Sequence, residues 1–143
     1  MDAILLGFQQ ILTFDNVGLC LTGALIGTLI GVLPGLGPLA TLAILLPITF
    51  SLEPLGALLM LAGVYYGSQY GGSTTAILVN LPGESASVVT CIDGHEMTKQ
   101  GRAGEALFMA ATGSFLAGCV GTLFIAVAAP VVSLFAEGFA SPA

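Results

Sequence analysis

Two short stretches hold the residues best suited to bind a ligand. Pro34-Gly35-Leu36-Gly37-Pro38 and Gly71-Gly72-Ser73-Thr74 place helix breakers and bare backbone inside runs that carry no charge. The second run closes on Asn80, Pro82 and Gly83. In hydrocarbon every backbone N–H and C=O needs a partner, so irregular backbone at depth survives only buried in protein or lining a wet cavity. A half-helix starting at Leu39 would expose free N–H groups at the positive end of its dipole. Gly35 and Gly37 would let a ligand approach that backbone. A second half-helix starting near Ser73 would do the same, with the hydroxyls of Ser73, Thr74 and Thr75 added. Two such ends can bind carboxylates without a buried Lys or Arg. Asn80 could coordinate a cation or hold the broken backbone. Either break alone would read as a proline kink; two breaks, each followed by a short apolar piece, point to a transporter's binding site.

Other chemistry finds little support. There is no G-x-x-x-x-G-K-[ST], hence no P-loop. His95-Glu96-Met97-Thr98-Lys99 begins like H-E-x-x-H, but Lys99 stands where the second zinc ligand belongs. Gly71-Gly72-Ser73-Thr74 lacks the glycine that follows the serine of a nucleophile elbow. The lone His95 reads as a solvated loop residue. Cys20, Cys91 and Cys119 have no C-x-x-C spacing and read as small packing residues. The chain is therefore expected to be neither an enzyme nor a metalloprotein.

The elements that must position the two breaks are membrane helices. The 143 residues are 56% apolar and 7% charged, against roughly a quarter charged in a soluble domain. Residues 16–52, 54–83 and 106–136 carry no charged side chain. Each interval exceeds the ~20 residues that cross a bilayer core. The expected fold class is all-α integral membrane, with transmembrane helices and broken or re-entrant half-helices. The net charge is −6 and no basic patch exists, which argues against a nucleic-acid partner. No Lys or Arg precedes the first apolar run, so it is not a typical signal peptide.

Residues 2–16 read as a short interfacial helix or lead-in, with Asp15 or Asn16 capping the helix that follows. Helices are expected over 17–33, 55–69 and 106–132. Short pieces are expected over 39–50 and 73–81, and a polar loop over 84–105 with a turn signal at Asp93-Gly94. Gly23, Gly27 and Gly31 form a G-x-x-x-G ridge for close helix approach. Small residues make similar stripes at Ala110, Ser114 and Gly118 and at Gly113, Ala117 and Gly121. The Tyr65, Tyr66 and Tyr70 cluster suits an interfacial belt or a cavity wall. Lys99 and Arg102, just before the last span, put the 84–105 loop in the cytoplasm.

Three segments carry a family resemblance. "GVLPGLGPLATLAILLPITFSLEP" (31–54), "LAGVYYGSQYGGSTTAILVNLPG" (61–83) and "DGHEMTKQGRAGEAL" (93–107) resemble, in order and spacing, the TctA permeases of bacterial tripartite tricarboxylate transporters. The resemblance implies a multi-pass permease of the bacterial inner membrane that moves citrate-like or other organic acid anions. It implies two partners, a periplasmic solute-binding protein and a small membrane subunit. It implies no bound cofactor, with a cation gradient of Na+ or H+ as driving force. By position it implicates Pro34, Gly35, Gly37 and Pro38, then Gly71 to Ser73, Asn80, Pro82 and Gly83. Members are several times longer, with a second half repeating the first, and "SLFAEGFASPA" (133–143) departs from their continuation. The chain is therefore expected to be an N-terminal fragment that supplies half a site. The alternative is a non-transporting membrane scaffold whose glycine stripes only assemble helices.

Overall fold

The computed structural model describes residues 2–140, and of residues 2–4, 130–131 and 133–140 only the backbone. All regular structure among the described residues is helical. It comprises α1 (Asp2–Ile11), α2 (Phe14–Gly31), α3 (Pro38–Thr49), α4 (Pro54–Val79), a 3-10 turn (Ser85–Ser87), α5 (Val88–Lys99) and α6 (Ala103–Ala140). The chain divides into two compact units, residues 1–107 and 108–143. Two helical stretches, Phe14–Gly31 and Ala103–Ala129, are long and apolar enough to cross a membrane.

The first unit is organised by glycine. Gly23, Gly27 and Gly31 of α2 are buried against the α4 backbone at Met60, Val64 and Ser68. Reciprocally, Gly63, Gly67 and Gly71 of α4 lie against the α2 backbone at Cys20, Ala24 and Thr28. The register rises in step on both helices, so α2 and α4 run parallel. A Cβ at Gly27 would stand 2.8 Å from Val64 Cα, leaving no room for any side chain. The ridge expected of Gly23, Gly27 and Gly31 is thus a helix contact, and its partner carries a matching ridge. Backbones this close gain dispersion contacts along the whole seam, which drives helix association in lipid.

Parallel neighbours need a return, and α3 provides it. At 12 residues it is about 18 Å long. It carries the chain back so that α4 can recross beside α2. Prolines set its start: Pro38 occupies the first turn, where a missing N–H costs nothing. Its buried face, Thr41, Leu45 and Thr49, meets α4.

Several sequence expectations are corrected. The piece expected over 55–69 and the one over 73–81 are a single helix, unbroken at Gly71–Gly72. Those glycines serve close approach rather than unwinding: Gly71 faces Thr28 O and Gly31, and Gly72 faces Gly83. A helical glycine costs only about 1 kcal/mol relative to alanine, which tight packing offsets. The expected 84–105 loop holds α5. Gly94, read as a turn, is buried in α5 under Ile77. α2 is preceded by Thr13 rather than capped by Asp15 or Asn16, and Asn16 instead donates to Gln10 O. His95 is half-buried rather than solvated. The last helix begins at Ala103, three residues earlier than expected.

In the second unit α6 presents large apolar side chains around its circumference, among them Phe115, Leu116, Val120 and Phe124. The glycines of its expected stripes, Gly113, Gly118 and Gly121, meet nothing within 4 Å among the described residues.

Candidate functional site

The link between α2 and α3 interrupts the helix well inside the charge-free run 16–52. Leu33 N bonds Ile30 O and Leu36 N bonds Leu33 O, both three-residue turns. Gly35 takes φ +86, a left-handed conformation that a side chain would strain. Prolines 34 and 38 remove two donors from the stretch. The freed carbonyl of Val32 is taken by Thr75, whose Oγ1 lies 2.9 Å away and is itself buried.

The N-terminus of α3 is bare. Gly37 stands at the cap position with no side chain to offer, and Pro38 has no N–H. The first bonded amide is that of Thr41, to Gly37 O. The amides of Leu39 and Ala40 therefore face outward from the positive end of the helix. Thr41 Oγ1 also donates to Gly37 O and lies 3.2 Å from Ser68 Oγ, which ties α3 to α4 through a fully buried hydroxyl pair.

The chain after α4 returns to this place. Asn80 ends α4 in the left-handed region (φ 60, ψ 30) and reverses the chain. Leu81 and Pro82 then run back to set Gly83 against Gly72, whose Cα would be 2.7 Å from a Cβ at Gly83. A Cβ at Gly37 would lie 3.8 Å from Gly83 O and 3.6 Å from Glu84 Cβ. The reversal is held by α5: His95 Nδ1 lies 3.1 Å and Thr98 Oγ1 2.9 Å from Ile77 O. A carbonyl only accepts, so Nδ1 carries the proton and donates.

The structure thus brings together Gly37, Pro38, Gly71, Gly72 and Gly83, all buried or half-buried, with Pro34 and Gly35 exposed on the adjoining link. It does not bring in the rest. Ser73 Oγ donates to Gln69 O and Thr74 Oγ1 to Tyr70 O, one turn back in their own helix. With α4 continuous there is no second bare helix N-terminus near Ser73. Asn80 is exposed at the end of α4, and Pro82 is exposed on the return. The sequence reading missed Thr41, Ser68 and Glu84, and it put Thr75 at the start of a half-helix, where the structure has it inside α4 bonding Val32 O. Ser68 and Thr75, seven residues apart, share a helix face, and that spacing was the available signal.

Electrostatically the junction has no cation of its own. Lys99 Nζ pairs with Glu96 at 2.8 Å and Arg102 pairs with Glu105, both on exposed surfaces. The hydrogen bond from Lys99 holds the Glu96 carboxyl below the usual carboxylate range. Glu84 is the charged residue nearest the α3 terminus.

A family model described as "Tripartite tricarboxylate transporter TctA family" matches residues 17–143. The chain belongs to the TctA family. It is 61% identical over 137 residues, 96% of its length, to a 52.8 kDa protein of Agrobacterium vitis described as uncharacterized and placed 3′ of ttuC′ in the TAR-I region. The match spans 27% of that relative, so the chain covers about a quarter of its length. No solved structure matches. All three segments quoted for the resemblance lie within the matched range, and the α2–α3 link and the Gly72–Gly83 contact lie in the first two.

Proposed function

We propose that this TctA chain contributes the organic-anion site of a secondary transporter, with a carboxylate of the solute held at the bare N-terminus of α3. The supporting observation is convergence. The α2–α3 link, Gly72 and the returning Gly83 meet around the amides of Leu39 and Ala40, which have no hydrogen-bond acceptor among the described residues. α4 is more polar than the two stretches apolar enough to cross a membrane, but it packs along one of them, α2, and the proposal has it cross beside that helix. α4 has 26 residues, about 39 Å, against a hydrocarbon core of about 30 Å. Centred in the bilayer, it leaves Gly72 about 6 Å beneath the boundary. Irregular backbone there requires a protein-lined or watery surrounding.

Binding rests on backbone dipoles, since no basic side chain reaches the junction. Glu84 beside Gly37 adds a fixed negative charge on the flank, and a bound anion raises it further. A co-bound cation relieves that repulsion, in keeping with coupling to Na+ or H+. Transport then needs no nucleotide and no chemical step. In the full assembly the permease sits multi-pass in the bacterial inner membrane, receives the anion from a periplasmic solute-binding protein and works beside a small membrane subunit. Two exposed basic residues, Lys99 and Arg102, support a cytoplasmic position for α5.

The test is uptake of radiolabelled citrate by cells expressing a full-length permease that carries this segment, together with both partners. Gly37→Leu is expected to abolish uptake while membrane insertion persists, because its side chain fills the approach to Leu39 and Ala40. Uptake equal to wild type would end the anion-site reading. The rival scaffold reading draws on the α2–α4 glycine seam. It expects Gly37→Leu to be silent and Gly27→Leu to abolish assembly.

A further inference from the structure

All three tyrosines of the chain lie within six residues of α4, Tyr65, Tyr66 and Tyr70, with Gln69 among them. Tyr65, Tyr66 and Tyr70 are exposed, at 38%, 63% and 39%. An interfacial belt would explain them only near a helix end. Tyr65 stands 11 residues after Pro54 and 14 before Val79, so it occupies the middle of the helix, about 12 Å or more from either boundary of a centred span. Hydroxyl groups at mid-depth without partners are costly in lipid.

The polar groups are also oriented. Gln69 Nε2 donates to Tyr65 OH at 3.2 Å. That leaves the tyrosine's own proton and the second amide N–H without an acceptor among the described residues. Tyr65 and Tyr66 hold each other edge to face, with ring centroids 5.7 Å apart. Tyr65, Gln69 and Gly72 recur at i, i+4 and i+7, and so form one line along α4. That line ends at the glycine that packs on Gly83 in the junction described above. Gln69 and Tyr65 are about 4.5 and 10.5 Å along the axis from Gly72.

From this we infer a second, polar subsite on α4, in which Gln69 and Tyr65, with Tyr66 and Tyr70, take a remote carboxylate or hydroxyl of a polycarboxylate. The inference rests on the proposed function, which puts the first carboxylate at α3. The subsite supplies neutral donors only. It discriminates by reach: a solute with two carboxylates several carbons apart spans both places, and a monocarboxylate does not. The stripe faces an aqueous path and not lipid.

Thiol labelling tests this without requiring transport. In a background with Cys20, Cys91 and Cys119 changed to alanine, Gln69→Cys and Tyr66→Cys are introduced singly and exposed in native membranes to a membrane-impermeant maleimide. Leu25→Cys, an exposed apolar position on α2, is the lipid-facing control. Both stripe positions are expected to label and Leu25→Cys not. Citrate is expected to slow labelling several-fold, succinate less, and acetate not at all. Adding Tyr65→Phe to Tyr66→Cys is expected to raise the citrate concentration for half-protection about three- to tenfold, the worth of one hydrogen bond. Failure to label, as a lipid-facing or protein-covered stripe would show, overturns the inference. So does labelling that citrate and acetate affect equally. The Gly37→Leu change separates the two ideas. If it leaves protection and uptake intact, the α3 site fails while the stripe stands; if it abolishes uptake and the stripe never labels, only the subsite fails.

Discussion

Replacing Gly27 with alanine puts one methyl group where the two parallel helices touch. The added Cβ would lie 2.8 Å from Val64 Cα and 2.9 Å from Val64 C, closer still to Val64 O. Ordinary contact begins at 3.4 Å. The backbones must therefore part by about 0.6 Å or more, since no flexible side chain can give way. Parting them loosens the whole seam from Gly23 to Gly31. Overpacking of this kind costs about 1–3 kcal/mol, while the glycine-to-alanine change itself returns up to about 1 kcal/mol of helix propensity. Gly18→Ala is the internal reference. It lies in the same helix, and its added Cβ meets nothing within 4 Å. It is expected to gain the propensity term alone. The stability gap between the two variants is thus about 1–3 kcal/mol in favour of Gly18→Ala. Reversible unfolding in mixed detergent micelles, followed by circular dichroism, reads that gap. Equal stability of the two variants would refute the close-contact account of α2 and α4.

Other expectations follow from single contacts. Thr75→Val leaves Val32 O without its partner and is expected to lower stability by about 1–3 kcal/mol, with Thr75→Ser near wild type in the same unfolding assay. Asn80→Ala is expected to cost about 1 kcal/mol at its left-handed φ of 60, and Asn80→Gly to be neutral or better. Gly37→Cys paired with Glu84→Cys puts Cβ atoms about 3.6 Å apart, within the range of a disulfide. Mild oxidation is expected to close it, seen as a mobility shift lost on reduction. Thr98→Val with His95→Ala strips both donors from Ile77 O and is expected to speed amide exchange across α5.

The sequence disclosed the class of the fold and one of the two breaks, for a definable reason. Pro34 and Pro38 remove hydrogen-bond donors, so the helix had to end there whatever packed around it. Gly71 and Gly72 remove nothing. A glycine pair reads alike as a hinge and as a close-contact seat, and only the partner helix decides. The repeat at Gly23, Gly27 and Gly31 announced a close neighbour, but its identity as α4, and its parallel direction, depend on the return through α3. The 84–105 stretch looked like a loop because its polarity lacks a membrane signal. α5 exists because Gly94 admits Ile77 and because His95 and Thr98 reach Ile77 O. The convergence of Gly37, Gly72 and Gly83 joins residues far apart in the chain, and no local pattern encodes it.

The claim that a carboxylate is held by bare amides at the start of α3 is tested most directly by calorimetric titration of citrate into a purified full-length permease that carries this segment, in lipid nanodiscs. Binding is expected for the unmodified permease and for Gly18→Ala, with affinity at least about tenfold weaker for Gly37→Leu, a loss of about 1.4 kcal/mol. Equal affinity for Gly37→Leu and the unmodified permease would contradict it.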